Sequence, residues 1–283
     1  MFSEQAVTFS CASDQLLGII AHPEQAKRTG ILIIVGGPQY RTGSHRQFLY
    51  LARTLAISGY PVMRFDYRGM GDSTGKLHNF EAVNADIAAA IDTFMAACPK
   101  LEHVVLWGLC DAASASLLYF HAHKDERLSG FVLLNPWVRS VATLARTQIK
   151  HYYVRRLLQA EFWRKILSGK LGVGRAFGGL LGNLNRVRQT ARPVDNELSF
   201  QEKMRCALAE TELPALLILS GDDYTAKEFI ETMRMDSVWQ DVIAQKRVTV
   251  HEISGADHTF SSGEMRGEVQ NITRQWLEAK VGP

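Results

Sequence analysis

Cysteine is scarce in this chain of 283 residues, and no hydrophobic run is long. The four cysteines, Cys11, Cys98, Cys110 and Cys206, have neither the paired spacing of a disulfide framework nor the clustered spacing of a zinc site. Their scatter favours reduced thiols, as in a cytoplasmic protein. Every apolar stretch falls short of the ~20 residues that a membrane-spanning helix needs, and the first residues lack a secretory signal pattern. We therefore expect a cytoplasmic protein that holds no metal.

Glycine-rich nucleotide motifs are also missing. No segment matches a phosphate-binding loop or a dinucleotide fingerprint, so the sequence predicts no cofactor. The net charge is only +3, and no nucleic-acid partner is expected. A hydrophobic content of 46% and a charged content of 22% are ordinary for a folded globular protein. The length suits one large domain with an insertion, or at most two domains.

Positive charge is concentrated in one segment. Residues 137–194 contain twelve Lys and Arg against one acid, Glu161, which gives a net charge of +11. Residues 140–168 have the apolar spacing of a helix, and residues 169–182 hold six glycines, as in a hinge or flexible loop. The sequence therefore predicts a basic helical lid at residues 137–194, inserted into a core made of residues 1–136 and 195–283.

The remainder of the chain alternates short apolar runs with helical patterns. A hairpin is expected around residues 12–14, and buried strands are expected at residues 31–35, 62–65, 104–107, 131–134, 215–220 and 248–253. The helical patterns cover residues 47–58, 80–97, 112–122, 227–244 and 264–279. This alternation predicts an α/β fold, in which a mostly parallel central sheet is covered by helices on both faces.

A sharp turn is predicted between the strand at 104–107 and the helix at 112–122. The pentapeptide Gly108-Leu-Cys-Asp-Ala112 is a cysteine version of the nucleophile elbow that is usually written Gly-x-Ser-x-Gly. Such an elbow strains its central residue, and the residues two before and two after it must be small so that strand and helix can approach. Gly108 and Ala112 meet that requirement. The pattern indicates that Cys110 is a nucleophile rather than a small buried hydrophobic residue.

A cysteine nucleophile needs a base to accept its proton and an acid to orient that base. In elbow-type sites the chain order is nucleophile, acid, base. Asp222 and Asp223 follow the strand predicted at 215–220, and His258 follows the strand predicted at 248–253. Both loops lie at carboxyl ends of strands, where open α/β sheets place their sites. We predict His258 as the base and Asp223 as the acid, with Asp222 as the alternative acid.

The oxyanion that forms during acyl transfer needs hydrogen-bond donors. The backbone N–H of Asp111, at the start of the elbow helix, is predicted as one donor. The second donor is expected from the loop after the first long parallel strand, and Gln39 is chosen because Pro38 has no N–H. The Asp111 carboxylate opposes thiolate formation at Cys110, so the thiolate is expected to depend on His258.

Another charged, glycine-containing string lies between the first two parallel strands and the elbow. The segment Asp66-Tyr-Arg-Gly-Met-Gly-Asp-Ser73 suits a tight loop beneath the site, with Arg68 or Asp72 bonding to backbone. We predict a structural role for it. Asp257, next to His258, is likewise predicted to be a turn residue.

These strings together resemble the α/β-hydrolase superfamily over nearly the whole chain. Residues 36–47, 66–73 and 108–112 resemble, more narrowly, the exosortase A system-associated hydrolase 1 family. That family occurs in bacteria that pair an exosortase with exopolysaccharide biosynthesis genes. The resemblance implies an α/β-hydrolase fold and hydrolase chemistry at a Cys-His-Asp site, and it leaves the substrate undefined.

Three functions are compatible with this sequence. The first is hydrolysis of an ester or thioester through an acyl-enzyme on Cys110. The basic lid would suit a small-molecule or carrier-bound acyl substrate that is anionic, an acidic carrier protein, or a membrane surface. The second function is acyl transfer from a carrier thiol to an alcohol or amine, and polyester synthases resemble this case in using an elbow cysteine. The third is a non-catalytic binding scaffold that has kept the fold.

Overall fold

An eight-stranded sheet forms the centre of the computed structural model, which describes residues 1–37, 39–139 and 198–282. In spatial order the strands are β1, β2, β4, β3, β5, β6, β7 and β8. Their bounds are β1 Phe2–Cys11, β2 Asp14–Pro23, β3 Thr29–Ile34, β4 Val62–Phe65, β5 His103–Leu109, β6 Leu128–Leu134, β7 Ala215–Ser220 and β8 Val248–Ile253.

The sheet is antiparallel at one edge and parallel elsewhere. Strands β1 and β2 form the predicted hairpin, and β2 also pairs with β4 in antiparallel register. Every other neighbouring pair, from β4–β3 to β7–β8, is parallel. The prediction of a mostly parallel sheet is therefore confirmed.

Seven α-helices connect these strands within the described residues. They are α1 Gln47–Ile57, α2 Asn84–Ala97, α3 Asp111–His123, α4 Phe200–Glu210, α5 Tyr224–Met235, α6 Ser237–Ile243 and α7 Gly263–Lys280. Every residue of β3 and of β7 is buried. Because successive side chains of a strand point to opposite faces, this burial shows that both faces of the sheet are covered.

Two helical predictions needed correction. The pattern at residues 227–244 is not one helix, because the carboxylate of Asp236 caps a new helix by accepting from the N–H of Val238 at 2.9 Å. Helix α4 was missed altogether. Its signal is a capping box, in which Ser199 and Glu202 each bond to the other's backbone N–H.

The loop that follows β4 is held by buried charges. Asp66 is completely buried and forms an ion pair with Arg41, which also contacts Asp72 at 2.7 Å. The guanidinium of Arg68 pairs with Asp86 of α2 at 2.7 Å. The structural role predicted for this loop agrees with these contacts. The predicted bonding pattern was wrong, because the side chains of Arg68 and Asp72 pair with other side chains rather than with backbone.

The basic segment predicted as a lid, residues 137–194, lies almost entirely outside the described residues. Its helical content and its role as a lid remain predictions. Of this segment the structure describes only the first three residues, which continue from the carboxyl end of β6.

Candidate active site

Cys110 occupies a strained turn between β5 and α3. Its backbone has φ of 63° and ψ of −124°, a region that residues with a side chain rarely adopt. Gly108 is essential to this turn, since a Cβ there would lie 2.6 Å from the carbonyl carbon of Ala112. The elbow predicted from the pentapeptide is thus present in the backbone, and its thiol is half-buried.

Hydrogen bonds to the end of β6 and to the residues that follow it hold the elbow in place. The N–H of Cys110 donates to the carbonyl of Leu134 at 2.8 Å, and the carbonyl of Cys110 accepts from the N–H of Trp137 at 3.3 Å. The hydroxyl of Ser114 donates to the carbonyl of Trp137 at 2.7 Å. The backbone of the strained residue is therefore anchored on both sides.

His258 and Asp223 meet at the carboxyl edge of the sheet. Nδ1 of His258 lies 2.9 Å from Oδ2 of Asp223. The same carboxylate oxygen caps α5, where it accepts from the N–H of Ala226 at 3.0 Å. Asp223 is buried. The acid is therefore held by its own helix in the position that orients the imidazole.

The charge state of His258 depends on both of its neighbours. The hydrogen bond to Asp223 and the proximity of Cys110 raise the pKa of His258 to about 10, against the opposing effect of burial. For Asp223, burial acts to raise the pKa, but the hydrogen bonds from His258 and from Ala226 lower it overall. The arrangement favours an imidazolium that is hydrogen-bonded to the Asp223 carboxylate and lies beside Cys110.

The side chain of Asp222, the alternative acid, is exposed and pairs with Lys227 rather than with His258. Its side chain is 80% exposed and forms an ion pair with Lys227 at 3.3 Å. Its N–H donates to the carbonyl of Ala256 at 2.9 Å. Of the two adjacent acids, the structure brings only Asp223 to His258.

The loop that carries His258 is supported by residues that sequence reasoning missed. Asn135, fully buried, donates from Nδ2 to the hydroxyl of Ser220 at 2.8 Å and to the carbonyl of His258 at 3.2 Å. The hydroxyl of Ser220 donates in turn to the carbonyl of Asp257 at 2.9 Å. Asn135 could have been singled out from the sequence, because it is a polar residue that directly follows a buried strand and precedes a proline.

Asp257 agrees with its predicted role in a turn. Its carboxylate accepts from the N–H of Thr259 at 3.0 Å and from the N–H of Ser261 at 3.1 Å. The hydroxyl of Ser261 bonds to it as well, and this contact lowers the pKa of Asp257. Asp257 therefore stabilises the turn formed by the residues that follow His258.

Two residues of the loop after β3 make hydrogen bonds near the predicted oxyanion donors. The N–H of Gly37 donates to Oδ2 of Asp111 at 3.0 Å. The side-chain oxygen of Gln39 accepts from the N–H of Ser44 at 3.2 Å, and Pro38 lies outside the described residues. The Gln39 N–H stays a predicted donor. Burial raises the pKa of Asp111, although the N–H groups of Gly37 and Ala112 oppose that effect. The loop after β3 thus presents Gly37 to the residue that follows Cys110.

Residues 1–37, 39–139 and 198–282 show neither a metal-binding cluster nor a membrane span. They contain no group of three or more His, Cys, Asp or Glu side chains that could hold a metal ion. None of the helices described has the length and hydrophobicity of a membrane span. All four cysteines fall in these ranges and have free thiols.

Comparison with known sequences gives two findings. The model of the family described as serine aminopeptidase, S33, matches residues 27–174. Human Protein ABHD12B is 40% identical over 88 residues, a match that covers 30% of this chain and 23% of that protein. The chain thus spans about a quarter of the length of this curated relative.

Solved structures with the same architecture are numerous. The esterase Pf2001 of Pyrococcus furiosus has a TM-score of 0.66 at 17% identity, with 99% of this chain and 92% of that chain covered. Est1E of Butyrivibrio proteoclasticus, solved with ferulic acid bound, has a TM-score of 0.64 at 14% identity over 98% and 99% of the two chains. An α/β serine hydrolase homologue from Coxiella burnetii has a TM-score of 0.58 at 15% identity, over 96% and 97%. These likenesses establish the α/β-hydrolase fold.

Proposed function

Because the chain belongs to the α/β-hydrolase family described as serine aminopeptidase, S33, we propose that it is a hydrolase that cleaves an ester or thioester with Cys110 as its nucleophile. The observation that carries this proposal is the placement of one imidazole, His258, against both Cys110 and the carboxylate of Asp223. The family is named for serine, and this chain has cysteine at the elbow. The difference changes the nucleophile and leaves the roles of base and acid as they are in a serine triad.

In the first step the Cys110 thiolate attacks the carbonyl carbon of the substrate. A carbon–sulfur bond forms, and the carbonyl π electrons move to oxygen. When the tetrahedral intermediate collapses, the bond to the leaving alcohol or thiol breaks and the imidazolium of His258 supplies its proton. The raised pKa of His258 keeps that proton available at neutral pH.

Water completes the reaction. Neutral His258, held in one tautomer by Asp223, accepts a proton from a water molecule that attacks the acyl-enzyme. The bond to Cys110 then breaks, the acid product leaves, and the proton returns to the thiolate–imidazole pair. The balance is one water consumed for each ester or thioester cleaved.

The proposed oxyanion donors are the N–H groups of Asp111 and Gly37. We assign Gly37 as the second donor because its N–H is directed at the residue after the nucleophile. The N–H of Gln39 stays the alternative predicted from the sequence. In the resting enzyme the Asp111 carboxylate occupies the Gly37 donor. It must release that N–H when an oxyanion forms, and this exchange is part of the proposal.

A thioester is the favoured substrate bond. Both the substrate and the acyl-enzyme are then thioesters, so the first step exchanges one thiolate for another at little cost. An amide offers a much poorer leaving group to a thiolate. The basic segment at residues 137–194 supports an anionic acyl carrier, such as a phosphopantetheine-bearing acidic protein, or a membrane surface. A cytoplasmic setting beside exopolysaccharide biosynthesis completes the proposal and is supported by the sequence resemblance.

Intact-protein mass spectrometry tests the proposal. The protein would be incubated with a panel of acyl thioesters and activated esters, alongside Cys110→Ala and His258→Ala. We expect a transient acyl adduct on the wild type, none on Cys110→Ala, and slower formation or accumulation on His258→Ala. A matched control is Cys206→Ala, which removes another partly exposed thiol and should leave the adduct unchanged. An adduct that persists in Cys110→Ala would refute the assignment.

The same experiment separates hydrolysis from acyl transfer. If the adduct turns over faster when an alcohol or amine acceptor is added, and the acyl group appears on that acceptor, the protein is an acyltransferase. If no donor gives an adduct and Cys110 reacts with alkylating reagents like any free thiol, the scaffold interpretation replaces both enzymatic ones.

A further inference from the structure

A small cavity opens beside the elbow, between three segments of the chain. It has a volume of about 240 Å³ and is bounded by the loop after β3, the loop after β4 and the first residues of α3. Gly37 and Asp111, whose N–H groups are the proposed oxyanion donors, both line it. The carbonyl oxygen of a substrate bound to Cys110 would lie at those donors. The cavity therefore begins where the carbonyl group of the substrate is held.

The cavity has an exposed rim and a buried base. At the rim, Leu77 is 65% exposed and its neighbour His78 is exposed as well. On the side toward the core the lining residues are buried, and they include Val35, Met70 and Val83. Because the core closes that side, a chain that enters the cavity has a limited length.

Below the rim, the surface that the cavity presents is mostly apolar. Tyr67 and Asp111 line it, but the hydroxyl of Tyr67 and Oδ1 of Asp111 have almost no accessible surface. The other carboxylate oxygen of Asp111 accepts from the N–H of Gly37 at 3.0 Å. None of the described residues that line the cavity is Lys or Arg. A carboxylate buried in it would therefore lack a cationic partner, which is strongly unfavourable.

The volume of the cavity sets the size of the group that it can hold. An engineered apolar cavity of about 150 Å³ in another protein binds benzene, so one carbon atom occupies roughly 25 Å³. At that ratio the 240 Å³ of this cavity accommodates about nine or ten carbons. Sites for drug-sized ligands measure roughly 300–1,000 Å³. A phosphopantetheine arm is of that size and is charged, so it does not fit.

We propose that this cavity receives the acyl chain of the substrate and selects neutral chains of about six to ten carbons. The inference rests on the proposed function, because it attaches that chain to Cys110. Shorter chains leave part of the cavity unfilled and bury less apolar surface. Longer chains exceed its volume. The leaving thiol, with any carrier to which it belongs, lies outside the cavity.

The first test measures the rate of Cys110 acylation along a series of N-acetylcysteamine thioesters. They carry acetyl, butanoyl, hexanoyl, octanoyl, decanoyl and dodecanoyl groups, and intact-protein mass spectrometry gives the second-order rate for each. Burial of a methylene group contributes binding energy that the transition state retains, so we expect the rate to rise about two- to fourfold per methylene. The increase should end near decanoyl.

A matched compound tests the preference for neutral chains. The 7-carboxyheptanoyl thioester has the same number of carbons as the octanoyl thioester, with a carboxylate in place of the terminal methyl group. We expect it to acylate the wild type more slowly by about tenfold or more, because its carboxylate has no cationic partner in the cavity. Equal rates for the two compounds would contradict the proposal.

Two variants change the size of the cavity. Met70→Ala removes three heavy atoms from its wall and should move the fastest substrate toward chains about two carbons longer. Val83→Phe fills the cavity and should move it toward shorter chains. Met204→Ala is the matched control, because Met204 is also buried but does not line the cavity. It should leave the preferred length unchanged. Thermal unfolding shows which variants fold, and Met70→Ala decides the matter if Val83→Phe does not.

A second series of thioesters separates the acyl group from the leaving group. Acetyl thioesters of ethanethiol, hexanethiol and decanethiol carry the alkyl chain on the thiol instead. Their acylation rates should depend only weakly on the length of that chain. A strong dependence that Met70→Ala shifts would show that the cavity holds the leaving group, and it would overturn the proposal.

Binding to Cys110→Ala distinguishes the cavity assignment from the proposed chemistry. This variant cannot be acylated, so calorimetry with the butanoyl and octanoyl thioesters reports recognition alone. Tighter binding of the octanoyl compound, weakened by Val83→Phe in the same background and found without acylation of the wild type, would support the cavity assignment and refute the chemistry. Acylation of the wild type at rates independent of acyl length would overturn the cavity assignment and leave the chemistry intact.

Discussion

Asp223 Oδ2 serves His258 and a helix at the same time. It lies 2.9 Å from Nδ1 of His258 and accepts from the N–H of Ala226, at the start of α5, at 3.0 Å. The orientation of the imidazole is therefore tied to a helix N-terminus that cannot move without losing its cap. This coupling makes the acid rigid, as a catalytic orienting group requires.

The adjacent acids Asp222 and Asp223 provide a matched pair of variants. Asp223→Asn should reduce the rate of Cys110 acylation by roughly 10- to 10³-fold, because the amide no longer stabilises the His258 imidazolium that supplies the proton in this step. Asp222→Asn changes the same chemistry on an exposed side chain and should alter the rate less than twofold. Stopped-flow measurement of adduct formation checks both. Equal losses in the two variants would contradict the assignment of the acid.

The raised pKa of His258 predicts how stability depends on pH. A histidine that binds its proton more tightly in the folded state stabilises that state fully below its unfolded pKa of 6.5, and the contribution is lost as pH rises through about 10. The difference in unfolding free energy between wild type and His258→Gln should therefore shrink steadily from pH 6.5 to pH 10. Urea titrations across this range measure it.

A double-mutant cycle provides the control for that pH effect. In an Asp223→Asn background the leading cause of the raised His258 pKa is absent, so the same comparison should show a weaker dependence on pH. An unchanged slope in that background would show that the ion pair with Asp223 is not the source of the effect.

Alanine substitutions at Gly108, in the elbow, and at Gly267, in α7, should have opposite effects on the free energy of unfolding. Gly108→Ala places a Cβ 2.6 Å from the backbone of Ala112, and we expect a loss of roughly 1–3 kcal/mol in unfolding free energy together with a displaced Cys110. Gly267→Ala, in α7, meets nothing within 4 Å and should stabilise the helix by about 0.5–1 kcal/mol. Thermal unfolding compares the two, and a Gly108→Ala variant as stable and active as the wild type would contradict the close approach.

Asn135 is predicted to act as a positioning residue. Asn135→Ala removes the bonds to Ser220 and to the carbonyl of His258, so we expect kcat to fall about 10- to 100-fold with little change in KM. Unfolding free energy should fall by roughly 1–3 kcal/mol. Asn271→Ala, on the exposed face of α7, is the control. Equal changes in kcat and KM would indicate a general structural role instead, and imidazole NMR signals of His258 would show whether its ring has moved.

Most strands could be located from sequence because their apolar runs are continuous. The runs at residues 62–65, 215–220 and 248–253 correspond to strands with those same bounds. Helix limits were less certain, since Asp236 and Ser199 create starts through side-chain caps that interrupt or precede the apolar pattern. Capping is a local polar effect, which hydrophobic periodicity does not record.

The sequence by itself determined the elbow and the order of the site along the chain. Gly108, Cys110 and Ala112 specify a turn through the sizes of their side chains, and His258 is the histidine placed after the last strand of an alternating series. The sequence favoured Asp223 over Asp222, and the tertiary structure places the Asp223 carboxylate at His258. Only the tertiary structure brought Gly37 to Asp111 and set Asn135 against the His258 loop. Those contacts join residues far apart in the chain, and their geometry follows from the register of parallel strands whose carboxyl ends share one edge of the sheet.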